Sequence, residues 1–268
     1  YRDYFNVHLI YTVSKKAQVS EDFRDTALGT RLYENGDLLI GTHAIEDYMR
    51  TVGMELSAMT PCTVVVKRCD RGITRIQNYA EIMTYAFSGY IYGELRDGCT
   101  DNLDAIVMHE SVGHGLGLLA DEYATNGGEI PEREKGYLRA NHNGGMYLNV
   151  SLTNNPAEVP WAHLIGHPNY PYVGIYEGGN YYSSGVWRSE ITSMMLQNRN
   201  NYYFNAISRE LIVKRILKLA GEEYTFEKFL AKDSDEGRPG TVSTLWTTDY
   251  ADGESKMKLL PPVIVREK

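Results

Sequence analysis

The segment Asp104–Tyr123, DAIVMHESVGHGLGLLADEY, places several metal-binding types of side chain behind an apolar run. These side chains are of the kinds that hold Zn²⁺ in proteins, and they are His109, Glu110, His114, Asp121 and Glu122. A His-Glu pair followed one turn later by a second His offers two imidazole ligands and a neighbouring carboxylate that can take a proton from water on the metal. The segment therefore predicts a zinc site on a helix, and the rest of the chain is expected to be built around it.

The spacing of the two histidines departs from the usual pattern. His109 and His114 are five residues apart, whereas a zinc-binding helix normally spaces them by four. At ~100° per residue, a regular helix would leave the two side chains about 140° apart, too divergent for one ion. A π-bulge absorbs one inserted residue and aligns positions five apart, and Gly113 would ease such a turn. In the alternative, a regular helix presents Glu110 and His114 as ligands and turns His109 away. We prefer the π-bulge, because it leaves Glu110 available for catalysis.

The residues after His114 predict the end of the helix and a third ligand. Gly115 and Gly117 each cost about 1 kcal/mol relative to Ala inside a helix, so the helix should end near Gly117 in a left-handed turn. The chain would then return beneath the helix, where an acidic residue can reach the metal. Asp121 is the preferred third ligand, and Glu122 is the alternative.

GHGLGLLADEY, residues 113–123, resembles the glycine turn and Asp-Glu-Tyr ending of the IgA metallopeptidase family, whose plan is similar to that of metzincins. The chain departs from the family by one residue inserted between the His-Glu and Gly-His pairs. Further blocks resemble the family in the same order: FNVHLIYTVS at 5–14, DTALGTRLY at 25–33, PWAHLIGH at 160–167, GGNYYSSGVWR at 178–188, SMM at 193–195 and FNAISRE at 204–210. The resemblance extends to about Leu219.

This resemblance implies an α/β (α+β) fold with one metzincin-like catalytic domain. Because the first residue is Tyr1 rather than Met, we expect this domain to be trimmed from a longer precursor. An N-terminal lobe, residues 1–123, would hold a mixed sheet and the zinc-binding helix. A C-terminal lobe, residues 124–268, would be loop-rich, with a methionine turn and a C-terminal helix. The implied activity is that of a zinc endopeptidase, a secreted, cell-surface or periplasmic hydrolase acting on polypeptides. Specificity resides in variable loops, so the resemblance does not imply IgA as the substrate.

The resemblance also implies roles for individual residues. Zn²⁺ would be bound by His109, His114 and Asp121, with Glu110 as general base, although metzincins place the third ligand where this chain has Ala120. Met195 would form an apolar floor beneath the metal, with Met194 in reserve. Two methionines filling a core gap fit the same letters equally well.

Several other side chains are candidates for orienting ligands or contacting substrate. Metzincins with a switching tyrosine carry it two residues beyond the methionine, where this chain has Gln197, so no tyrosine is carried over to that role. The candidates are Glu122, Tyr123, His163, Tyr181 and Tyr182, with Tyr202 and Tyr203 also conceivable. His163 and His167 are four apart, but Pro160, Gly166 and Pro168 oppose a helix there, so a second metal site is not expected.

The remaining pattern predicts conventional elements around the site. We expect strands at Phe5–Val13 and Thr63–Val66, an edge strand within Tyr85–Leu95, and helices at Ala44–Leu56, Leu103–His114 and Ile207–Ala220. Residues 124–188 are rich in Gly, Asn, Pro and Tyr and show little periodicity, which is typical of substrate-binding loops.

Composition excludes some classes of protein. The net charge of −8 and the absence of a clustered basic segment argue against nucleic acid as a partner. No apolar run reaches the roughly 18 residues that a membrane span needs. A degenerate peptidase that binds glycans or proteins through the tyrosine-rich loops is the alternative to an enzyme.

Overall fold

A computed structural model describes residues 1–15, 26–29, 31–32, 38–39, 42–55, 57, 60, 62–67, 73–77, 81–88, 90–91, 94–95, 103–196, 202–235 and 238. Within these residues the architecture is mixed α+β, with five α-helices and a small antiparallel three-stranded sheet. The predicted α+β class is therefore confirmed. The division into lobes at Tyr123 stays a prediction.

The N-terminal part contributes a mixed three-stranded sheet. Its strands are β3 (Cys62–Lys67), β4 (Ile73–Gln77) and β5 (Glu81–Ser88). The strand pair β1 (Arg31–Leu32) and β2 (Leu38–Leu39) and the helix α1 (Thr42–Arg50) precede this sheet. The strand pair β6 (Tyr90–Ile91) and β7 (Glu94–Leu95) follows it. Strand β5 lies in the centre, parallel to β3 and antiparallel to β4. The predicted strand at Thr63–Val66 is thus confirmed.

The zinc-motif helix follows this sheet. It begins as an α-helix, α2 (Leu103–Val107), and continues as a π-helix over Met108–Leu116. The π-helix contacts β4, β5 and the long C-terminal helix. A hydrogen bond of 2.6 Å between the hydroxyls of Thr63 and Ser111 joins β3 to the π-helix.

The C-terminal part packs a second sheet against helices. Helix α3 (Glu132–Asn143) precedes the antiparallel sheet β8-β10-β9, which is formed by β8 (Val150–Ser151), β9 (Tyr176–Gly179) and β10 (Tyr182–Arg188). Helices α4 (Ala206–Ala220) and α5 (Phe226–Leu230) follow this sheet. Helix α4 confirms the prediction for Ile207–Ala220, and Gly221 ends it in a left-handed conformation at φ 72°.

Two apolar clusters meet at α4. One surrounds Trp161 and Phe229, which are fully buried. The other joins the π-helix and the residues after it to α4 through Leu116, Leu119, Met194, Met195, Phe204, Ile212 and Ile216. The second cluster holds the π-helix in place, because its members come from the end of the π-helix, from the methionine pair and from α4.

Two predictions for strands differ from the structure. Residues Phe5–Val13 form no strand, and side chains such as Tyr11 (87% exposed) and Val13 (88% exposed) have no neighbouring strand to cover them among the described residues. The predicted edge strand within Tyr85–Leu95 is not a single strand: β5, which includes Tyr85, is central in its sheet among the described residues, and β6 and β7 form a separate two-stranded pair. Alternating polarity along a segment indicates which side chains would share one face of a strand, but it does not specify which other strand would pair with that segment.

Helix α3 and the end of α1 also differ from expectation. Residues 124–188 were expected to be loops, yet α3 occupies twelve of them. Its periodicity is weak because only Leu138 and Asn141 are buried. Helix α1 ends at Arg50 rather than near Leu56, since the chain turns at Gly53 with φ 71°. None of the described helices combines the length and apolar character required to cross a bilayer.

Candidate metal centre

The π-helix aligns the two histidines of the motif. Backbone N–H of Gly117 donates to the carbonyl of Val112 at 2.8 Å, the i→i+5 pattern of a π-helix. The rings of His109 and His114 consequently meet edge to face, with centroids 4.8 Å apart. The predicted π-bulge is confirmed and extends over nine residues. The alternative, in which a regular helix turns His109 away, is wrong.

Two glycines are required here for space rather than for a left-handed turn. A Cβ on Gly113 would collide with the buried Sδ of Met195, and one on Gly117 would lie 2.8 Å from Ile212 Cγ1. The left-handed turn expected at Gly117 is wrong, because Gly117 has φ −76° and Leu118 has φ 53°. Leucine occupies that position because its side chain is buried against Met146.

The reversal at Leu118 brings Asp121 against both imidazole rings. Asp121 Oδ1 lies 3.0 Å from His109 Nε2 and 3.2 Å from His114 Nε2. The candidate ligand atoms of the three residues all lie within 4.8 Å of one another. Ligands about 2.0–2.2 Å from a tetrahedral ion are roughly 3.3 Å apart. The spacing therefore suits a small metal ion.

The outer nitrogen of each ring is fixed by the backbone. His109 Nδ1 lies 3.0 Å from the carbonyl oxygen of Met194, and His114 Nδ1 lies 2.7 Å from that of Leu119. A carbonyl oxygen only accepts hydrogen bonds, so each Nδ1 carries the proton and the Nε2 of a neutral ring offers a lone pair. This arrangement is the usual way in which a metal-binding imidazole is oriented.

Three acceptor atoms consequently converge without a donor between them. Asp121 Oδ1 is buried and receives no hydrogen bond from the described residues. Buried polar atoms are nearly always partnered, and two lone pairs facing a carboxylate oxygen repel one another unless a positive charge lies between them. Either extra protons on the rings or a bound cation would supply that charge.

The electrostatics of the group favour positive charge. Burial opposes charging of His114, but the neighbouring Asp121 carboxylate outweighs burial and raises the pKa of His114 to about 9. Burial likewise opposes ionisation of Asp121, but the two histidines hold its pKa well below the ordinary range. Positive charge beside Asp121, whether on His114 or on a bound cation, thus stabilises the ionised carboxylate.

Glu110 lies beside the three convergent side chains without belonging to them. Glu110 is 7% exposed, and its charge contributes to raising the pKa of both His114 and Tyr123. The carboxylate is therefore close enough to the group to act on it electrostatically. A carboxylate this close could exchange protons with a water molecule on a bound ion.

Glu122 points away from the convergent group. It is fully buried, and its carboxylate accepts hydrogen bonds from Asn149 Nδ2 at 2.9 Å and from Asn205 Nδ2 at 2.9 and 3.0 Å. Burial raises the pKa of Glu122 to about 7. Glu122 thus connects the loop that carries Asp121 to the start of α4, whereas Asp121 faces the histidines.

Two tyrosines surround the outer face of Asp121. The Tyr181 hydroxyl donates a hydrogen bond to Asp121 Oδ2, and the rings of Tyr123 and Tyr181 meet at 5.3 Å between centroids. Tyr182, by contrast, packs on the apolar cluster that contains Ile130 and Val186.

The methionines lie beneath the π-helix, and His163 lies elsewhere. Met195 is fully buried and contacts the backbone at Gly113, while the carbonyl oxygen of Met194 holds His109. His163 Nε2 pairs with Glu210 on α4 at 2.7 Å, and its ring packs on Phe226. The structure thus joins His163 to a different polar cluster from the three convergent side chains.

The residues that support the site were not all visible in the sequence. Asn205 carries a signal, because Asn immediately before an amphipathic helix is a typical N-cap, but its bond to Glu122 is not predictable from that. Asn149 lies in an irregular segment with no comparable signal. The carbonyls of Met194 and Leu119 could not be identified, since any residue type supplies one.

In comparisons with protein families and with curated proteins, no family model and no curated protein matches the chain. His109, His114 and Asp121 form a buried group that could bind a metal ion.

Proposed function

We propose that the chain is a zinc-dependent endopeptidase with the plan of the IgA metallopeptidase family. The observation that carries the proposal is the convergence of two imidazole lone pairs and one carboxylate oxygen on a single point, with Glu110 beside it. Two nitrogens and one oxygen are the donor set of many catalytic zinc sites, which leave a fourth position for water.

The residues present fit such an ion. Buried Asp121 Oδ1 lacks a donor, and both Nδ1 atoms are tied to carbonyls, so the inner nitrogens face inward as ligands. When bound, Zn²⁺ supplies a Lewis acid that polarises a carbonyl and lowers the pKa of a water ligand from 15.7 to about 7.

The protein's own residues then move the protons. Glu110 takes the proton that water releases as its oxygen attacks the scissile carbonyl carbon. The carboxyl group of Glu110 next gives this proton to the leaving nitrogen as the C–N bond breaks, which returns Glu110 to its ionised form. His109, His114 and Asp121 keep their protonation states, because each is held by a backbone carbonyl or by Tyr181.

The substrate class is an unstructured polypeptide segment. A chain with net charge −8 is poorly suited to bind nucleic acid. A secreted, cell-surface or periplasmic location belongs to the same proposal and is supported only by the resemblance.

The test combines metal analysis with hydrolysis. We expect about one Zn²⁺ per chain, cleavage of an unfolded protein such as reduced casein, and loss of cleavage on removal of the metal. Glu110→Gln should retain zinc and lose about 10²–10⁴-fold in kcat, the usual contribution of a general base. Glu223→Gln, an exposed carboxylate on the loop after α4, is the matched control and should retain full activity.

The outcomes separate the enzyme from the binding alternative. A chain that takes up no zinc overturns the proposal. Stoichiometric zinc with no cleavage across a panel of unfolded proteins favours a degenerate peptidase that binds glycans or proteins. Equal losses in Glu110→Gln and Glu223→Gln would show that Glu110 has no catalytic role.

A further inference from the structure

The tip of the β9–β10 hairpin docks against the segment that carries Asp121. Asn180 and Tyr181 both have positive φ, 45° and 75°, which suits a two-residue hairpin turn. The backbone N–H of Asn180 donates to the carbonyl of Asp121, and that of Tyr181 donates to the carbonyl of Tyr123, both at 2.8 Å. The Tyr181 carbonyl accepts from the N–H of Asn126, also at 2.8 Å.

These backbone bonds hold the Tyr181 side chain over one oxygen of Asp121. Its hydroxyl donates to Oδ2, while Oδ1 faces the two histidines. Tyr123 packs edge to face against the Tyr181 ring and limits its movement. The phenolic hydroxyl is the donor in this bond, because a carboxylate oxygen only accepts. The two oxygens of Asp121 therefore have separate partners.

We propose that Tyr181 is a positioning residue that restricts Asp121 to one metal-facing oxygen. The proposal rests on the metal site proposed above and adds a determinant of metal choice. A carboxylate that offers a single oxygen keeps the number of protein ligands at three, as zinc prefers. A carboxylate that offers both oxygens favours ions with higher coordination numbers, as Ca²⁺ does.

Tyr181→Phe removes only the hydroxyl, on a side chain that is 39% exposed in the intact protein. Without that donor the Asp121 carboxylate can rotate and present both oxygens. Loss of a hydrogen bond to a metal ligand typically weakens metal binding by about 10–100-fold. We expect this loss for Zn²⁺, together with a smaller preference for Zn²⁺ over Ca²⁺.

The experiment uses two metals as probes and the full chain. Zn²⁺ affinity is measured by competition with a chromophoric chelator, and the Co²⁺-loaded protein is measured by visible absorption, which is more intense for four-coordinate than for five- or six-coordinate cobalt. Tyr181→Phe should lower Zn²⁺ affinity by about 10–100-fold and weaken the cobalt bands. Tyr182→Phe, whose ring packs on the neighbouring apolar cluster, is the control and should leave both unchanged.

A second background shows whether Tyr181 acts through Asp121. Asp121→Asn offers one carbonyl oxygen and cannot become bidentate, so adding Tyr181→Phe to it should change Zn²⁺ affinity by less than about 3-fold. An undiminished loss in that background, or wild-type affinity and cobalt bands in Tyr181→Phe, would overturn the proposal while leaving the zinc site intact. A wild-type chain that binds neither Zn²⁺ nor Co²⁺ would overturn both proposals together.

Discussion

Gly113 illustrates how one residue sets the geometry of the site. It lies in the π-helix directly above the buried Met195, where a Cβ would collide with the methionine sulfur. Gly136, in the middle of α3, is a glycine with no heavy atom within 4 Å of an added Cβ. Alanine at these two positions therefore tests two different effects, close packing at Gly113 and helix propensity at Gly136.

We predict opposite effects for alanine at these two positions. Gly136→Ala should raise the free energy of unfolding by about 0.5–1 kcal/mol, because alanine restricts the unfolded chain and favours the helix. Gly113→Ala should lower it by about 1–3 kcal/mol through overpacking. Urea unfolding of metal-free protein measures both. Adding Met195→Ala should reduce the cost of Gly113→Ala, and equal effects at the two glycines would refute the packing account.

Glu210 provides a test of buried charge at a distance from the metal group. Its carboxylate is buried and accepts hydrogen bonds of 2.7 Å from His163, Lys214 and Tyr224. Burial acts to raise the pKa of Glu210, but these three donors outweigh it and the pKa is lowered. The ionised carboxylate therefore stabilises the fold above its unfolded pKa of about 4.3.

This stabilisation should disappear in acid. Glu210→Gln should lower the free energy of unfolding by about 1.5–3 kcal/mol at pH 7, the value of hydrogen bonds to a charged group. The difference from wild type should shrink as the pH falls below about 4.3 and through the lower folded-state pKa, because the wild-type carboxylate then takes up its proton. Urea unfolding at pH 7 to 3 with chelator checks this. A pH-independent difference would exclude the charge as its source, and Glu223→Gln should show little difference at any pH.

At the scale of elements, the side chain of Asn205 at the start of α4 has two roles: it caps the helix and it binds Glu122. Asn205 caps the helix by accepting from the N–H of Ser208 at 3.0 Å, and its amide donates to both oxygens of Glu122. Thr225 caps α5 in the same way, accepting from the N–H of Lys228 at 3.2 Å. Only the first cap is connected to the loop that carries Asp121.

The two caps should therefore differ in cost. Thr225→Ala should lower the free energy of unfolding by about 0.5–2 kcal/mol, the value of a cap. Asn205→Ala should cost about 2–4 kcal/mol, because the buried Glu122 carboxylate also loses donors. Denaturant titration of the metal-free chain measures both. Asn205→Asp retains the cap but sets a second carboxylate against Glu122, so a benign Asn205→Asp would contradict the proposed link.

The same elements show how far the sequence leads. The π-helix was predictable, because two histidines five residues apart with an intervening glycine have few ways to bind one metal ion. Helix α4 was predictable from its apolar period and from Gly221. Helix α3 was not, since a mostly exposed helix leaves little periodic signal. The pairing of β5 between β3 and β4 was not either, because alternation along one strand does not name its neighbours.

At the scale of the whole molecule, the candidate metal group joins distant parts of the chain. His109 and His114 come from the π-helix, Asp121 from the loop after it, and the carbonyl that orients His109 from Met194. An ion bound here would bind the folded state far better than the unfolded chain. Metal binding should then be measurable as stability.

We predict that zinc raises the melting temperature by about 10 °C. At a free concentration of about 1,000 times Kd, binding adds about 4 kcal/mol to the free energy of unfolding, and for a chain of this size each kcal/mol shifts Tm by about 2–4 °C. Calorimetry with added Zn²⁺ and then EDTA measures the shift and its reversal. His114→Ala should abolish the zinc-induced shift, whatever its own Tm. An undiminished shift in that variant would place the zinc elsewhere.

The contact between His109 and the carbonyl of Met194 spans 85 residues of sequence. During synthesis the His-Glu motif leaves the ribosome long before the residue that aligns its first imidazole. A nascent chain that stops short of residue 194 therefore contains all three candidate metal ligands but lacks the peptide group that orients one of them. The first imidazole of the candidate metal group is therefore oriented only after translation has passed Met194.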